Sequence, residues 1–303
     1  VNKEEFSLPE IKFDIWCGFI FINFDENAKP LNEYLGVLPD HFKNWKLEDR
    51  YIETHVIKKL PANWKVSAEA FLEAYHVLET HSEGVYTAGD ANADYDIFGD
   101  HVSRFIHTIG YTSPHITENR PSEQEILDML LGKRTEEGSG QILPEGSTAR
   151  EVYAENVQET MKERFKQDFS HLTVTETIDS IEYFAFPNAF FFPGLQLSMV
   201  YRFRPNGVDG ALFDLLFLRP KPVDGPCPPP PEPFALEIED SYTKCPGTEF
   251  LGAVYDQDTN NLLSQTKGFK SSFKKGQSLG NYQEARTRHF HQTIDKYLET
   301  NNG

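Results

Sequence analysis

The sequence predicts an α+β fold, in which consecutive strands form an antiparallel sheet and separate helices pack against it. Aromatic and β-branched runs follow one another between residues 178 and 218 and are separated by Gly, Pro or Asn. This spacing is typical of an antiparallel meander. Apolar residues recur at helical spacing before this region, at 64–78, and after it, at 281–298.

Length and composition exclude several classes of protein. The 303 residues are 39% hydrophobic, and 29 Lys+Arg against 47 Asp+Glu give a net charge of −18. This length suits one large domain. The acidic balance, with no basic stripe, disfavours a nucleic-acid partner. No apolar run reaches the roughly 18 to 20 residues of a membrane span. The three cysteines lack disulfide-framework or metal-site spacing, which favours a cytoplasmic location.

Two strands are predicted in the N-terminal part of the chain. Residues 15–24 are aromatic and β-branched and end in the turn-forming sequence Asp25-Glu26-Asn27, so we expect one strand that is buried or paired on both faces. Residues 51–58 alternate β-branched with polar side chains, and Pro61 follows them. The other predicted elements are a strand at 101–112, helices at 122–132 and 150–169, a loop at 137–147 and an extended proline-rich connection at 220–233.

The helix predicted at 64–78 leads into a possible metal site. Glu73 and His76 are three residues apart and share a helix face, whereas His76 and His81 would be about 140° apart on a continuous helix. If the last turn unwinds, His81 can approach His76. Two histidines and a carboxylate with open positions are the ligand set of oxygen-activating non-heme iron(II). Spacing alone leaves open that both histidines are ordinary surface or core residues.

A zinc peptidase site is disfavoured by the same stretch. That site needs H-E-x-x-H on a helix, but here five positions separate the histidines and no glutamate follows His76 directly.

Four segments resemble the catalytic domain of the alpha subunit of Rieske non-heme iron oxygenases, the aromatic-ring-hydroxylating family. Asn63-Trp64-Lys65 with Glu69-x-Phe71-x-Glu73-x-Tyr75-His76-x4-His81 resembles the iron-binding helix of that family. Residues 18–23 are similar to the strand that closes its Rieske domain. Residues 256–261 are similar to the segment that supplies its carboxylate ligand, and 282–291 to its terminal helix.

The resemblance implies roles for individual residues. His76 and His81 match the two histidine ligands, and Asp258 matches the aspartate ligand, with Asp256 as the alternative. Glu73 takes the place of the acid that connects the iron site to the Rieske cluster of a neighbouring subunit, where the family often has Asp. Ala70 departs from the asparagine that commonly follows the glutamate.

The resemblance also implies a fold and a division into domains. We expect a helix-grip (START-like) domain, with a large antiparallel sheet of about six to eight strands around long helices. Residues 31–303 are then the non-heme iron catalytic domain, and residues 1–30 are the end of an N-terminal Rieske domain and its connection. The cluster needs C-x-H and C-x-x-H pairs, which are absent here. The 2Fe-2S cluster is therefore expected in a domain that precedes residue 1.

The implied function is oxygen insertion from O2 into an apolar, aromatic organic substrate, by a dioxygenase or monooxygenase of the kind used in aromatic hydrocarbon catabolism. Electrons from NAD(P)H would arrive through a reductase or ferredoxin, and the enzyme would be a homotrimer. One alternative is a metal-free helix-grip module that binds hydrophobic ligands, and a weaker one is a zinc hydrolase.

No ligand motif includes the remaining eight histidines, and His289 and His291 are expected to be structural residues on different faces of the terminal helix. The aromatic runs around residues 184–192 are expected to pack against helices, although they are also able to wall an apolar pocket over the iron.

Overall fold

The computed structural model describes residues 6–8, 10–89, 93–132, 140–248 and 251–300. Its strands are β1 (Lys12–Trp16), β2 (Phe19–Asn23), β3 (Arg50–Leu60), β4 (Asp94–Phe98), β5 (Val102–His107), β6 (Ser180–Ala185), β7 (Ala189–Phe192), β8 (Met199–Pro205), β9 (Ala211–Pro220) and β10 (Phe234–Leu236). Its α-helices are α1 (Leu31–Leu35), α2 (Leu38–His41), α3 (Trp64–Glu69), α4 (Val77–Thr80), α5 (Glu123–Leu130), α6 (Ala149–Phe165), α7 (Val174–Ile178), α8 (Gly252–Ser271) and α9 (Ala285–Thr300).

The main sheet has eight strands in the order β10-β3-β9-β8-β7-β6-β5-β4. Strands β6 to β9 form the predicted antiparallel meander. Among the strand pairings that the described residues form in this sheet, only that of β10 with β3 is parallel. The α+β prediction is therefore confirmed, but the sheet is mixed rather than purely antiparallel, because β10 returns beside β3 after the proline-rich connection.

Side chains of the sheet pack against helices on both faces. Along β6, Phe184 joins the core that contains residues of α3, α8 and α9. Ile181 and Tyr183 join a second core with residues of α1 and α2. This alternation follows from the period of two in a strand. Because the aromatic runs are buried in these cores, the prediction that they pack rather than form a substrate box is confirmed.

Three helices begin at capping boxes that the sequence contains. Ser122, Thr148 and Thr173 each accept a hydrogen bond from the backbone of a glutamate three residues later, and each glutamate returns one. These reciprocal bonds satisfy N–H groups that have no partner inside a helix. The predicted helices at 122–132 and 150–169 correspond to α5 and α6.

The prediction of one strand over residues 15–24 is wrong. β1 and β2 form an antiparallel hairpin, and the turn between them has positive φ at Cys17 (50°) and Gly18 (85°). Two successive positive φ angles match the twist of a hairpin. The expectation that residues 15–24 are buried or paired on both faces is also wrong. Trp16 is buried, but Ile20 and Ile22 are 69% and 62% exposed.

The prediction of a continuous helix over residues 64–78 is wrong as well. Asn63 caps α3 by accepting hydrogen bonds from the backbone of Lys65 and Val66, but α3 ends at Glu69. The chain then makes irregular turns before α4. This break occurs although the apolar periodicity continues, because contacts with distant residues replace the helical hydrogen bonds.

Other predicted elements differ in extent. The terminal helix begins at Ala285 rather than at residue 281, and β5 ends at His107. Residues 221–233 connect β9 to β10 without a helix or strand and bend at 223–225, so the predicted connection is present, and its extended conformation stays a prediction. Residues 137–139 of the predicted loop lie outside the described residues. β4, β10 and α8 were not predicted as secondary structure. Among the described residues, no helix combines the length and apolar composition needed to cross a bilayer.

Candidate metal centre

His76 and His81 flank a helix of a single turn. His76 is the N-cap residue of α4, and His81 is its C-cap residue, with φ −119° and ψ 52°. On a continuous helix the two side chains would point about 140° apart. Here the helix ends at His81, whose backbone has left the helical conformation, and the two ring centroids lie 5.3 Å apart. The unwinding that the sequence required for convergence is therefore present.

Asp258 completes the group from the second turn of α8. Its Oδ1 lies 2.8 Å from His81 Nε2 and 3.4 Å from His76 Nε2, and the residue is 9% exposed. One ligand atom from each of the three residues lies within 4.8 Å of the others. In the described part of the chain, no other set of three His, Cys, Asp or Glu residues converges in this way.

The outer ring nitrogens are held by acceptors. His76 Nδ1 lies 2.7 Å from Glu73 Oε1, and His81 Nδ1 lies 2.7 Å from Gln257 Oε1. An imidazole that donates from Nδ1 and is neutral has its lone pair on Nε2. Contact of both Nδ1 atoms with acceptors leaves the Nε2 atoms facing Asp258, which is the arrangement that metal-binding histidines usually have.

This donor set fits a cation. Two Nε2 lone pairs and a carboxylate oxygen repel one another unless a positive charge lies between them. In the metal-free protein a proton supplies that charge. Burial lowers the pKa of His76, but its hydrogen bonds with Asp258 and Glu73 outweigh this effect and raise the pKa to about 10. Burial raises the pKa of Asp258, but the hydrogen bonds and charges of the two histidines outweigh this effect. The pKa of Asp258 therefore lies below its usual value. Two imidazoles and one carboxylate also suit iron(II).

Asp256, the alternative ligand, has a different set of partners. Its Oδ1 accepts a hydrogen bond from Tyr242 N at 3.0 Å, and its Oδ2 accepts one from Ser241 Oγ at 2.5 Å. Asp256 therefore ties α8 to the segment that precedes it. The geometry favours Asp258 as the third ligand.

A cavity of about 730 Å³ reaches His76 and Asp258. Apolar Val66, Leu262 and Phe269 line it together with polar residues that include Asn261 and Gln265. The aromatic residues of β6 and β7 do not line this cavity. The space beside the candidate metal centre is therefore of mixed polarity.

Sequence reasoning missed two polar residues near the centre. Gln257 lies inside the motif that contains Asp258, but its contact with His81 depends on the orientation of α8. His107 lies in β5 and is buried. Burial, with a smaller effect of His76, lowers the pKa of His107 to about 4. No sequence signal indicated the contact of Gln257 with His81 or the position of His107.

The two histidines of the terminal helix face different partners, as predicted. His289 Nε2 is 2.8 Å from the Gly99 carbonyl oxygen, and His291 Nε2 is 2.8 Å from Glu69 Oε1. Both contacts connect α9 to neighbouring elements.

Comparisons with known proteins agree on one family. The family model "Ring hydroxylating alpha subunit (catalytic domain)" matches residues 40–300. The carnitine monooxygenase oxygenase subunit of Acinetobacter pittii is 32% identical over 82 residues, which are 26% of this chain and 22% of that protein. The benzene 1,2-dioxygenase subunit alpha of Pseudomonas putida is 34% identical over 92 residues, 28% of this chain and 20% of that protein.

Solved structures show the same fold. A quaternary ammonium Rieske monooxygenase, CntA, superposes with a TM-score of 0.59 at 14% identity, over 98% of this chain and 64% of that one. Naphthalene 1,2-dioxygenase superposes with a TM-score of 0.56 at 15% identity, over 98% of this chain and 66% of that one. The chain thus spans less than two thirds of each of these proteins. From the family match over residues 40–300, the chain belongs to the ring hydroxylating alpha subunit (catalytic domain) family.

Proposed function

We propose that this chain is the catalytic domain of a Rieske-type oxygenase, which inserts oxygen from O2 into an organic substrate. Its iron(II) would be held by His76 Nε2, His81 Nε2 and the carboxylate of Asp258. The observation that carries this proposal is the convergence of these three groups, with both outer nitrogens already bound to acceptors. A metal-free ligand-binding module has no need of such a group.

The iron would supply O2 activation at the coordination positions that three protein ligands leave open. The chain's own residues prepare the site. Glu73 and Gln257 orient the imidazoles, and the burial of Asp258 shields its carboxylate from water. These contacts fix the ligands before metal binding, which reduces the conformational entropy that binding costs.

The class of substrate is also part of this proposal. Related proteins of the family are named for carnitine, glycine betaine, benzene and naphthalene. The predicted hydrophobic, aromatic substrate stays a prediction. The mixed lining of the cavity at His76 and Asp258 suits a small molecule that carries polar groups besides an apolar part.

Electron delivery is proposed from the family resemblance. Electrons from NAD(P)H would pass through a reductase or ferredoxin to a 2Fe-2S Rieske cluster, and from there through Glu73 and His76 of a neighbouring subunit in a homotrimer. The 2.7 Å contact between Glu73 Oε1 and His76 Nδ1 supports this route, as does the position of both residues at the cavity. The division of the chain into the end of a Rieske domain (residues 1–30) and the catalytic domain (residues 31–303) also stays a prediction. In the described part of the chain, no disulfide joins Cys17, Cys227 or Cys245, which is consistent with the proposed cytoplasmic location.

Anaerobic loading with iron(II) tests the proposal. We expect about one iron per chain in the wild type, and loss of iron in His76→Ala and Asp258→Ala. Asp256→Asn is the matched control, since it changes a carboxylate of the same helix that faces away from the histidines, and it should retain iron.

Three outcomes would contradict the proposal. A folded wild type that binds no iron would favour the metal-free module. Retention of iron in Asp258→Ala with loss in Asp256→Asn would reverse the ligand assignment. Tighter binding of zinc, with activity that does not depend on O2, would favour the hydrolase.

A further inference from the structure

The segment between α3 and α4 carries Glu73 and His76 but lacks regular helical hydrogen bonds. Its first turn is closed by short i to i+3 bonds, from Phe71 N to Ala68 O and from Leu72 N to Glu69 O, each 3.0 Å. Helix propensity therefore does not fix the position of the residues that follow. Contacts with other parts of the fold must do so.

Tyr95 supplies one of these contacts from the edge strand β4. Its hydroxyl oxygen accepts a hydrogen bond from Ala74 N at 3.0 Å. The same hydroxyl donates to Gln283 Oε1, 3.2 Å away, just before α9. One phenol therefore joins the ligand segment, the edge of the sheet and the start of the terminal helix.

The surroundings of Tyr95 keep this arrangement in place. Its ring makes edge-to-face contacts with Phe105 and Tyr282, at centroid distances of 6.4 and 5.3 Å. Burial raises the pKa of Tyr95 far above its usual value, so the hydroxyl stays protonated and is able to accept and donate at once.

Ala74 lies between the two functional residues of the segment. It directly follows Glu73 and precedes His76 by two positions. Glu73 accepts hydrogen bonds from both the backbone N (3.1 Å) and Nδ1 (2.7 Å) of His76. A shift of the Ala74 backbone would therefore move the carboxylate and the imidazole together.

We propose that Tyr95 is a positioning residue for the metal centre, which it holds by fixing the backbone of Ala74 against Gln283. This inference rests on the proposed metal site at His76, His81 and Asp258. Tyr95 does not touch the metal ligands in this arrangement. It acts through the segment that carries Glu73 and His76.

Cobalt(II) binding to the 303-residue chain tests the inference without turnover. Tyr95→Phe removes only the hydroxyl and keeps the ring contacts. We expect the dissociation constant for cobalt(II) to rise about tenfold, and the visible ligand-field absorption of the bound ion to change. Tyr282→Phe is the matched control. It removes a hydroxyl that donates to Ala93 O at 3.0 Å, and its cobalt affinity and spectrum should equal those of the wild type.

Gln283 provides a second pair of variants if Tyr95→Phe does not fold. Gln283→Leu removes the acceptor for the Tyr95 hydroxyl and should weaken cobalt binding, whereas Gln283→Glu keeps an acceptor and should preserve it. Equal cobalt affinity in wild type and Tyr95→Phe, or equal weakening in Tyr95→Phe and Tyr282→Phe, overturns the inference alone. Equal cobalt(II) affinity of Gln283→Leu and Gln283→Glu also overturns the inference about Tyr95. A folded wild type that binds no cobalt overturns the proposed metal site as well.

Discussion

Two buried polar clusters in the core between the sheet, α8 and α9 deal with charge in different ways. In the first, Arg286 Nη2 lies 2.7 Å from Glu182 Oε1, and the two side chains are 0% and 1% exposed. Arg286 also donates to Ser103 Oγ at 3.1 Å. In the second, two histidines and Asp258 direct acceptor atoms at one point. The first cluster balances its own charge, and the second needs an added cation.

The difference separates a structural cluster from a binding site. Removal of one partner of a buried ion pair destabilises the fold, because the other charge stays buried and unpaired. A group with a surplus of acceptors is instead stabilised by what it binds. Changes in the Arg286 pair should therefore affect folding, whereas changes around the histidines should affect metal binding and leave the metal-free fold in place.

The largest expected effect comes from breaking the ion pair. Arg286→Met leaves the Glu182 carboxylate buried without its partner, and we expect the free energy of unfolding to fall by about 3 to 5 kcal/mol. Urea denaturation monitored by circular dichroism measures this change. Arg288→Met, on the same helix, is the control and should cost less than about 1 kcal/mol.

A double variant extends that test. Glu182→Leu combined with Arg286→Met removes both charges, so it should recover part of the lost stability. If the single variant costs less than about 1 kcal/mol, the ion pair does not have the structural role assigned to it.

A smaller effect is expected from His107, whose pKa of about 4 lies below its ordinary value of 6.5. Between these values the unfolded chain binds more protons than the folded one, so stability falls as the pH drops from about 6.5 to about 4. We expect the low pKa of His107 to reduce the free energy of unfolding by about 1 to 2 kcal/mol at pH 5. His107→Gln should lose less stability than the wild type between pH 7 and pH 5 in urea denaturation. Equal losses would show that His107 does not control this pH range.

The smallest expected effect concerns the acceptor on His81. Gln257→Leu removes the hydrogen bond to His81 Nδ1, and iron(II) affinity should fall about tenfold, which is about 1.4 kcal/mol. Isothermal titration under anaerobic conditions measures this affinity. Gln265→Leu on the same helix lines the cavity without contacting a histidine, and it should bind iron as the wild type does. Unchanged iron(II) affinity in Gln257→Leu would show that the hydrogen bond between His81 and Gln257 does not support metal binding.

Local sequence signals predicted the elements whose structure depends on local interactions. The aromatic runs of β6 and β7, separated by Pro187-Asn188, identified a meander, and the helices predicted at 122–132 and 150–169 correspond to α5 and α6. The hairpin turn at Cys17-Gly18 was missed because it lacks the Asn-Gly or Asp-Gly signal. β10 was missed because three residues after a proline-rich segment carry no recognisable period.

The candidate site was predictable in composition but not in geometry. The His76 to His81 spacing and the resemblance identified the three residues that the structure brings together. The break of the helix before α4 was not predicted, because it depends on Tyr95 and Arg286, which contact the backbone of Ala74 and Leu72 from far along the chain. Such contacts leave no periodic signal near residue 70.

An anomalous difference map at the iron edge, from crystals of the chain loaded anaerobically with iron(II), tests the central claim most directly. The account predicts one strong peak about 2.0 to 2.3 Å from His76 Nε2, His81 Nε2 and a carboxylate oxygen of Asp258. It also predicts that Glu73 and Gln257 remain hydrogen-bonded to the outer ring nitrogens. A peak on another set of side chains, or no peak between these three in an ordered structure, would contradict it.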